Sequence, residues 1–80
     1  MSEPHTYVKY PNRRLYDRVK AQYVTLGEVR ADIEAGTQVL VLAHRTQTDL
    51  TRETLLDILR IRELQKPTFT VVELQELIRR

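Results

Sequence analysis

Nine residues, Lys9 to Asp17 with the sequence KYPNRRLYD, hold three cations, two tyrosines, a proline and an asparagine around a single aliphatic residue, Leu15. Cations are the natural partners of phosphate, and arginine is the stronger choice because its planar fork matches phosphate bidentately. Tyrosine hydroxyls and an asparagine amide add hydrogen bonds to phosphates or base edges. Pro11-Asn12 is good turn chemistry, so the run reads as a β-hairpin presenting Lys9, Arg13 and Arg14 on or beside a tight turn. A two-stranded ribbon of this kind fits the major groove of B-DNA. The competing reading is that the arginines are surface cations paired with acidic neighbours and that the tyrosines fill a core.

Charge supports the first reading locally and not globally. The chain of 80 residues carries a formal net charge of only +2. Its first twenty residues set Lys9, Arg13, Arg14, Arg18 and Lys20 against Glu3 and Asp17, an excess of three, and the rest is nearly balanced. Ten of the thirteen cations are arginine.

Other chemistries lack their parts. With no cysteine there is no thiol nucleophile, disulfide or cysteine-held metal. His5 and His44 are far apart and neither has a ligand at metal spacing, so His5 is assigned to a mobile terminus and His44 to a loop. Gly27 and Gly36 cannot form a phosphate-cradling loop. The carboxylates sit mostly among basic neighbours, as Asp32 near Arg30 and Glu63 near Arg60 and Arg62, which reads as solvated helix faces. No catalytic residue, cofactor or metal is therefore expected. No apolar run approaches the ~18 residues of a membrane span and no signal pattern opens the chain, so a cytoplasmic protein without membrane contact is expected.

The elements that position the basic run follow from local pattern. The class is α+β: a small N-terminal antiparallel hairpin or meander over residues 7–25, a central strand in QVLVLA, and about three helices at 26–35, 52–65 and 71–80. Residues 1–6 are expected to be a flexible N-terminus and 7–80 a single domain. Thr25 and Glu28, and again Thr70 and Glu73, stand at the spacing of a capping box. Gly36 closes the first helix, Thr51 is the candidate cap of the second, and Lys66-Pro67 ends it. Apolar positions 55, 56, 58, 59, 61 and 64 spread round much of that second helix. It is expected either to lie between the sheet and the last helix or to form a helix–helix dimer interface. A chain this short has a thin stability margin, which also favours self-association.

Beyond these local readings, Tyr10 to Asp17 (YPNRRLYD), then Tyr23-Val24-Thr25-Leu26, then Asp49-Leu50-Thr51-Arg52 and Leu55-Leu56, resemble the N-terminal domain of the bacterial polyhydroxyalkanoate (polyhydroxybutyrate) synthesis and accumulation regulators. The C-terminal KPTFTVVELQELIRR is similar too, so the resemblance runs from about Tyr7 to the end. It implies a DNA-binding transcriptional regulator of repressor type, acting on granule-protein genes. Double-stranded DNA and a homodimer or higher homo-oligomer are the implied partners. Carried over by position, the implied DNA contacts are Lys9, Tyr10, Asn12, Arg13, Arg14 and Tyr16. The alternative is a protein-interaction or oligomerisation module without nucleic-acid binding. Two departures matter. Where the family tends to have a T-G-E-D turn, this chain has TQTD, Thr46 to Asp49, so the turn is built without glycine. The family usually continues into a C-terminal region associated with oligomerisation and polymer contact, so granule contact is not carried over.

Overall fold

Alternating residues from Tyr7 onward divide the N-terminal third of the chain between two faces of one sheet. The computed structural model describes residues 3–80; Met1 and Ser2, part of the expected flexible terminus, lie outside the described residues. The elements in order are β1 (His5–Lys9), β2 (Leu15–Asp17), β3 (Gln22–Val24), α1 (Leu26–Glu34), β4 (Val39–Ala43), α2 (Thr51–Gln65) and α3 (Val71–Arg79). The α+β class and the antiparallel meander β1–β2–β3 are as the sequence indicates. The sheet is nevertheless mixed: its order is β3-β2-β1-β4, and β4 lies parallel to β1 with Tyr7 opposite Val41. Strand β1 starts at His5, so His5 and Thr6 belong to the sheet rather than to a terminus outside it.

Tyr7, Leu15 and Val41 face the helices and bury against Val29 of α1, with Leu26, Ile33, Leu50 and Ile58 packed around them. Among the described residues the deeply buried apolar side chains are Tyr7, Leu15, Val29 and Val41, with Val8 on the opposite face between Tyr16 and Leu42. No helix among the described residues is long and apolar enough to cross a membrane.

Both capping boxes form, with Thr25 and Glu28 closing the start of α1 and Thr70 and Glu73 that of α3. At the end of α1, the Gly36 amide donates to Ile33 O and the Thr37 amide to Asp32 O, with Gly36 at φ 94°. This is the two-bond glycine cap, and it needs the left-handed backbone that glycine supplies freely. Helix α2 starts differently from the expectation. Its cap is Leu50, without a side-chain bond, and the Thr51 hydroxyl instead accepts the Val41 amide of β4 at 2.9 Å. Asp49 takes the capping role nearby by accepting the Thr51 amide at 2.9 Å. Glu63 is not merely a solvated group: its carboxylate accepts the Thr68 hydroxyl and the Thr68 and Phe69 amides, which fixes the α2–α3 connection.

Helix α2 packs mainly on β4 and α1. The expected cover from the last helix is missing, because every residue of α3 is exposed and Leu56, Leu59 and Leu64 of α2 remain open to solvent.

The turn after β4 shows what replacing glycine costs. Gln47 adopts φ 58° and Ala21, before β3, adopts φ 54°. A side chain in the left-handed region costs roughly 1–2 kcal/mol, of which glycine's extra chain entropy returns about half. Ala21→Gly is therefore expected to stabilise the domain by about 0.5–1 kcal/mol, read as a raised urea midpoint with unchanged slope. A lowered midpoint would show that the Ala21 methyl packs usefully.

Candidate nucleic-acid interface

The hairpin joining β1 to β2 is built by its own polar groups. The Arg13 amide donates to Tyr10 O and the Tyr10 amide to Arg14 O, each at 2.9 Å. Pro11 holds the second turn position, where its fixed φ is already correct. The Asn12 carboxamide oxygen accepts the Arg14 amide at 3.1 Å, bracing the loop from inside. Arg13 then takes φ 67°, the left-handed position that follows the turn in a three-residue hairpin loop and that glycine ordinarily occupies. A strained residue that is also charged and exposed is a reason to look for a role beyond folding.

Strand alternation sends the candidate side chains in two directions. Tyr10, Arg14 and Tyr16 lie on the sheet face without helices, together with Tyr23 and His44, which sequence reasoning did not include. Tyr10 stacks on His44 with ring centroids 4.2 Å apart, and Tyr16 meets Tyr23 edge-on at 5.3 Å. The Arg14 guanidinium carbon sits 3.9 Å above the Tyr23 ring. That cation–π contact fixes the direction of Arg14 while leaving its outer edge in solvent. Tyr10 and Tyr16 are half-buried, so they are neither core fillers nor free arms.

Lys9 and Arg13 leave at the turn end of the sheet. With Arg45, from the loop after β4, they line a shallow cleft floored by Tyr10, Pro11 and His44. The same two side chains also border Asp57 and Arg60 of α2 on the helix side. The sequence neighbourhood of Arg45 gave no sign of this, because it reaches Lys9 only through the parallel β1–β4 pairing, in which Lys9 is opposite Ala43.

Lys9, Arg13, Arg14 and Arg45 take part in none of the ion pairs among the described residues, which are His5–Asp17, Arg30–Glu34 and Arg79–Glu76. Asp17, the acid nearest the arginines in sequence, is unavailable to them. It is fully buried, and its Oδ1 accepts His5 Nε2 at 2.7 Å and the Val19 and Lys20 amides at 2.8 and 3.1 Å. Burial pushes the Asp17 carboxyl up, but those amides and the His5 ring outweigh it and hold the group below the usual carboxylate range.

A second polar group lies beside it. Tyr7 is fully buried and donates its hydroxyl to Asp32. Burial, that hydrogen bond and the charges of Asp32, Asp17 and Glu28 push the phenol well above its ordinary value, so it stays a donor. His5, Asp17 and Asp32 bring one ring nitrogen and two carboxylates within 4.8 Å, a donor set that suits a divalent cation. Here the groups satisfy one another, except for the buried Asp17 Oδ2, which has no partner. Separations of twelve residues between His5 and Asp17, and of twenty-five between Tyr7 and Asp32, hid these contacts; the available signal was that alternation puts residues 5, 7 and 17 on one face.

Comparison with known proteins agrees with this architecture of motifs. An uncharacterized protein of Allochromatium vinosum is 38% identical over 80 residues, covering 99% of this chain and 52% of its own. An "Uncharacterized protein in phbA 5'region" of Thiocystis violacea is 36% identical over 80 residues, covering 99% of this chain and 58% of its own. The chain thus spans little more than half the length of these curated relatives. No solved structure matches. The profile of the PHB/PHA accumulation regulator DNA-binding domain matches residues 7–66, from the start of the buried Tyr7 to the end of α2, and the chain belongs to that family.

Proposed function

We propose that this domain binds double-stranded DNA for a repressor-type regulator of polyhydroxyalkanoate synthesis and granule-protein genes, and that it does so as a homodimer or higher homo-oligomer. The observation that carries the reading is the group of four unpaired cations around one hairpin, Lys9, Arg13, Arg14 and Arg45. Membership of the accumulation-regulator DNA-binding family supports the DNA-binding part, and the name of the Thiocystis relative, which puts it in the phbA 5' region, supports the link to polymer metabolism. Lys9, Arg13 and Arg45 neutralise phosphates at the turn end. Arg14, steered by Tyr23, reaches a phosphate or a guanine edge. Tyr10 and Tyr16 offer hydroxyls from the open sheet face, and Asn12, whose oxygen is taken by Arg14, offers its amide nitrogen.

The test begins with duplexes selected from a random pool by the purified domain. Arg13→Ala/Arg14→Ala loses the selected duplex while keeping its circular dichroism spectrum. Lys9→Gln and Arg45→Gln each weaken binding to all sequences alike and each reduce the salt slope by about one. A double alanine variant with wild-type affinity and salt dependence removes the hairpin from the interface. A domain that enriches no sequence and ignores DNA at low salt leaves the oligomerisation-module reading, which the open apolar side of α2 and α3 favours.

A further inference from the structure

Three donor groups meet where the start of β1, the end of β2 and the last turn of α1 come together. His5 Nε2 lies 2.7 Å from Asp17 Oδ1, and one donor atom each from His5, Asp17 and Asp32 falls within 4.8 Å of the others. Hydrogen bonds join these groups without balancing their charge. Among the described residues neither Asp17 nor Asp32 pairs with a lysine or arginine. The last turn of α1, where Asp32 stands, has no basic residue to offset the negative end of the helix. A second observation is separate from the bonds within the cluster. Asp17 is fully buried, and while its Oδ1 takes the His5 ring and two turn amides, its Oδ2 has no partner. Buried polar atoms are normally satisfied, and a bare carboxylate oxygen beside two further donors is an atom that a cation satisfies.

We infer that His5, Asp17 and Asp32 bind a divalent transition cation, with Zn2+ the best match. An imidazole nitrogen beside two carboxylates suits zinc, whereas magnesium prefers oxygen ligands alone. Each ligand is already oriented by a contact behind it, as metal ligands ordinarily are. The His5 ring stacks on Tyr7 with centroids 4.8 Å apart and planes 17° apart. The Tyr7 hydroxyl donates to one oxygen of Asp32 and leaves the other for an ion. The Val19 and Lys20 amides hold Asp17. Donors about 2.1 Å from one zinc lie about 3.4 Å apart, so the widest pair has to close by no more than about 1.4 Å. His5 is 15% exposed and Asp32 half-buried, which gives an ion a way in and leaves a coordination position open to water. The ion takes the place of the proton between His5 and Asp17 and ties β1, β2 and α1 together, so its binding energy adds to folding. Nothing in this inference rests on DNA binding.

Calorimetric titration of the full 80-residue chain, stripped by chelator, with Zn2+ alone tests this. One Zn2+ per chain is expected to bind in the micromolar range or tighter, to raise the urea midpoint, and to bind more tightly than Mg2+. Asp17 also holds the fold, so the variants fall on the other two ligands. Asp32→Asn, which keeps an acceptor for Tyr7, and His5→Gln are each expected to weaken Zn2+ by at least about tenfold, the loss that even supporting residues cause. His44→Gln, at the other histidine of the chain, is expected to bind as the wild type does. In the wild type, zinc is expected to shift the ring resonances of His5 and not those of His44 by nuclear magnetic resonance, a reading that survives a variant that fails to fold. No stoichiometric binding at millimolar Zn2+ overturns the inference. So does binding that persists in both ligand variants or is lost in His44→Gln, which marks an adventitious ion only. The measurement uses no DNA, so its failure leaves hairpin contact standing, and loss of DNA binding by a hairpin variant leaves this site standing.

Discussion

Arg13→Gly is expected to make the domain more stable and to lose DNA. The two effects arise from different atoms of one residue. The backbone of Arg13 sits at φ 67°, in the position after the turn where glycine is free of strain. Replacing a side-chain-bearing residue there relieves roughly 1–2 kcal/mol, less the entropy glycine adds to the unfolded chain, for a net gain of about 0.5–1 kcal/mol. The guanidinium, exposed and without an ion pair, contributes nothing visible to the fold. Removing it deletes a charge-assisted contact of about 1.5–3 kcal/mol, so affinity for a selected duplex falls by roughly 10- to 100-fold and the salt slope by about one. Urea melts and fluorescence anisotropy on the same preparation read both signs at once. A variant that melts lower assigns Arg13 to holding the hairpin; one that binds DNA unchanged takes it out of the interface.

That hairpin is also where local and non-local information part company. Within KYPNRRLYD, Pro11, Asn12 and the buried Leu15 build the loop and its anchor, and these roles follow from residue type alone. The capping boxes at Thr25 and Thr70 and the Gly36 cap were legible for the same reason, since each is complete within about six residues. The replacement of a turn glycine was legible as well, and its consequence is the left-handed Gln47. What the sequence concealed depends on pairing between distant segments. Parallel alignment of β4 with β1 brings Arg45 beside Lys9, and draws Thr51 from its expected cap to the Val41 amide. Tyr23, which the sequence places only in a short motif, orients Arg14 across the β2–β3 pair. The apolar positions on α2 extend beyond the side that β4 and α1 cover, and periodicity cannot say whether the remainder meets the same chain. Among the described residues α3 does not cover it.

Asp17 completes the basic motif, and Asp17→Ala is expected to unfold much of the population. Its carboxylate is fully buried and receives the His5 ring and two turn amides, tying β1, β2 and the β2–β3 connection together. Removing one partner from a buried charged network costs about 3–5 kcal/mol, because the remaining polar groups lose acceptors without regaining water. A domain of this length has on the order of 4–12 kcal/mol in total, so the loss is a large fraction of it. The acid arm of the stability profile carries the same signature. The Asp17 carboxyl titrates lower in the folded chain than in the unfolded one. Its contribution is therefore fully present above the unfolded value near 3.9 and drains away as pH falls through the lower folded value. Urea midpoints for the wild type are expected to fall over that window, whereas Asp17→Asn, already weaker at neutral pH, loses that component of the slope. Equal midpoints for wild type and Asp17→Ala at neutral pH would mean that the buried network holds nothing together, and the hairpin would then owe its position to Leu15 and the strand pairing alone.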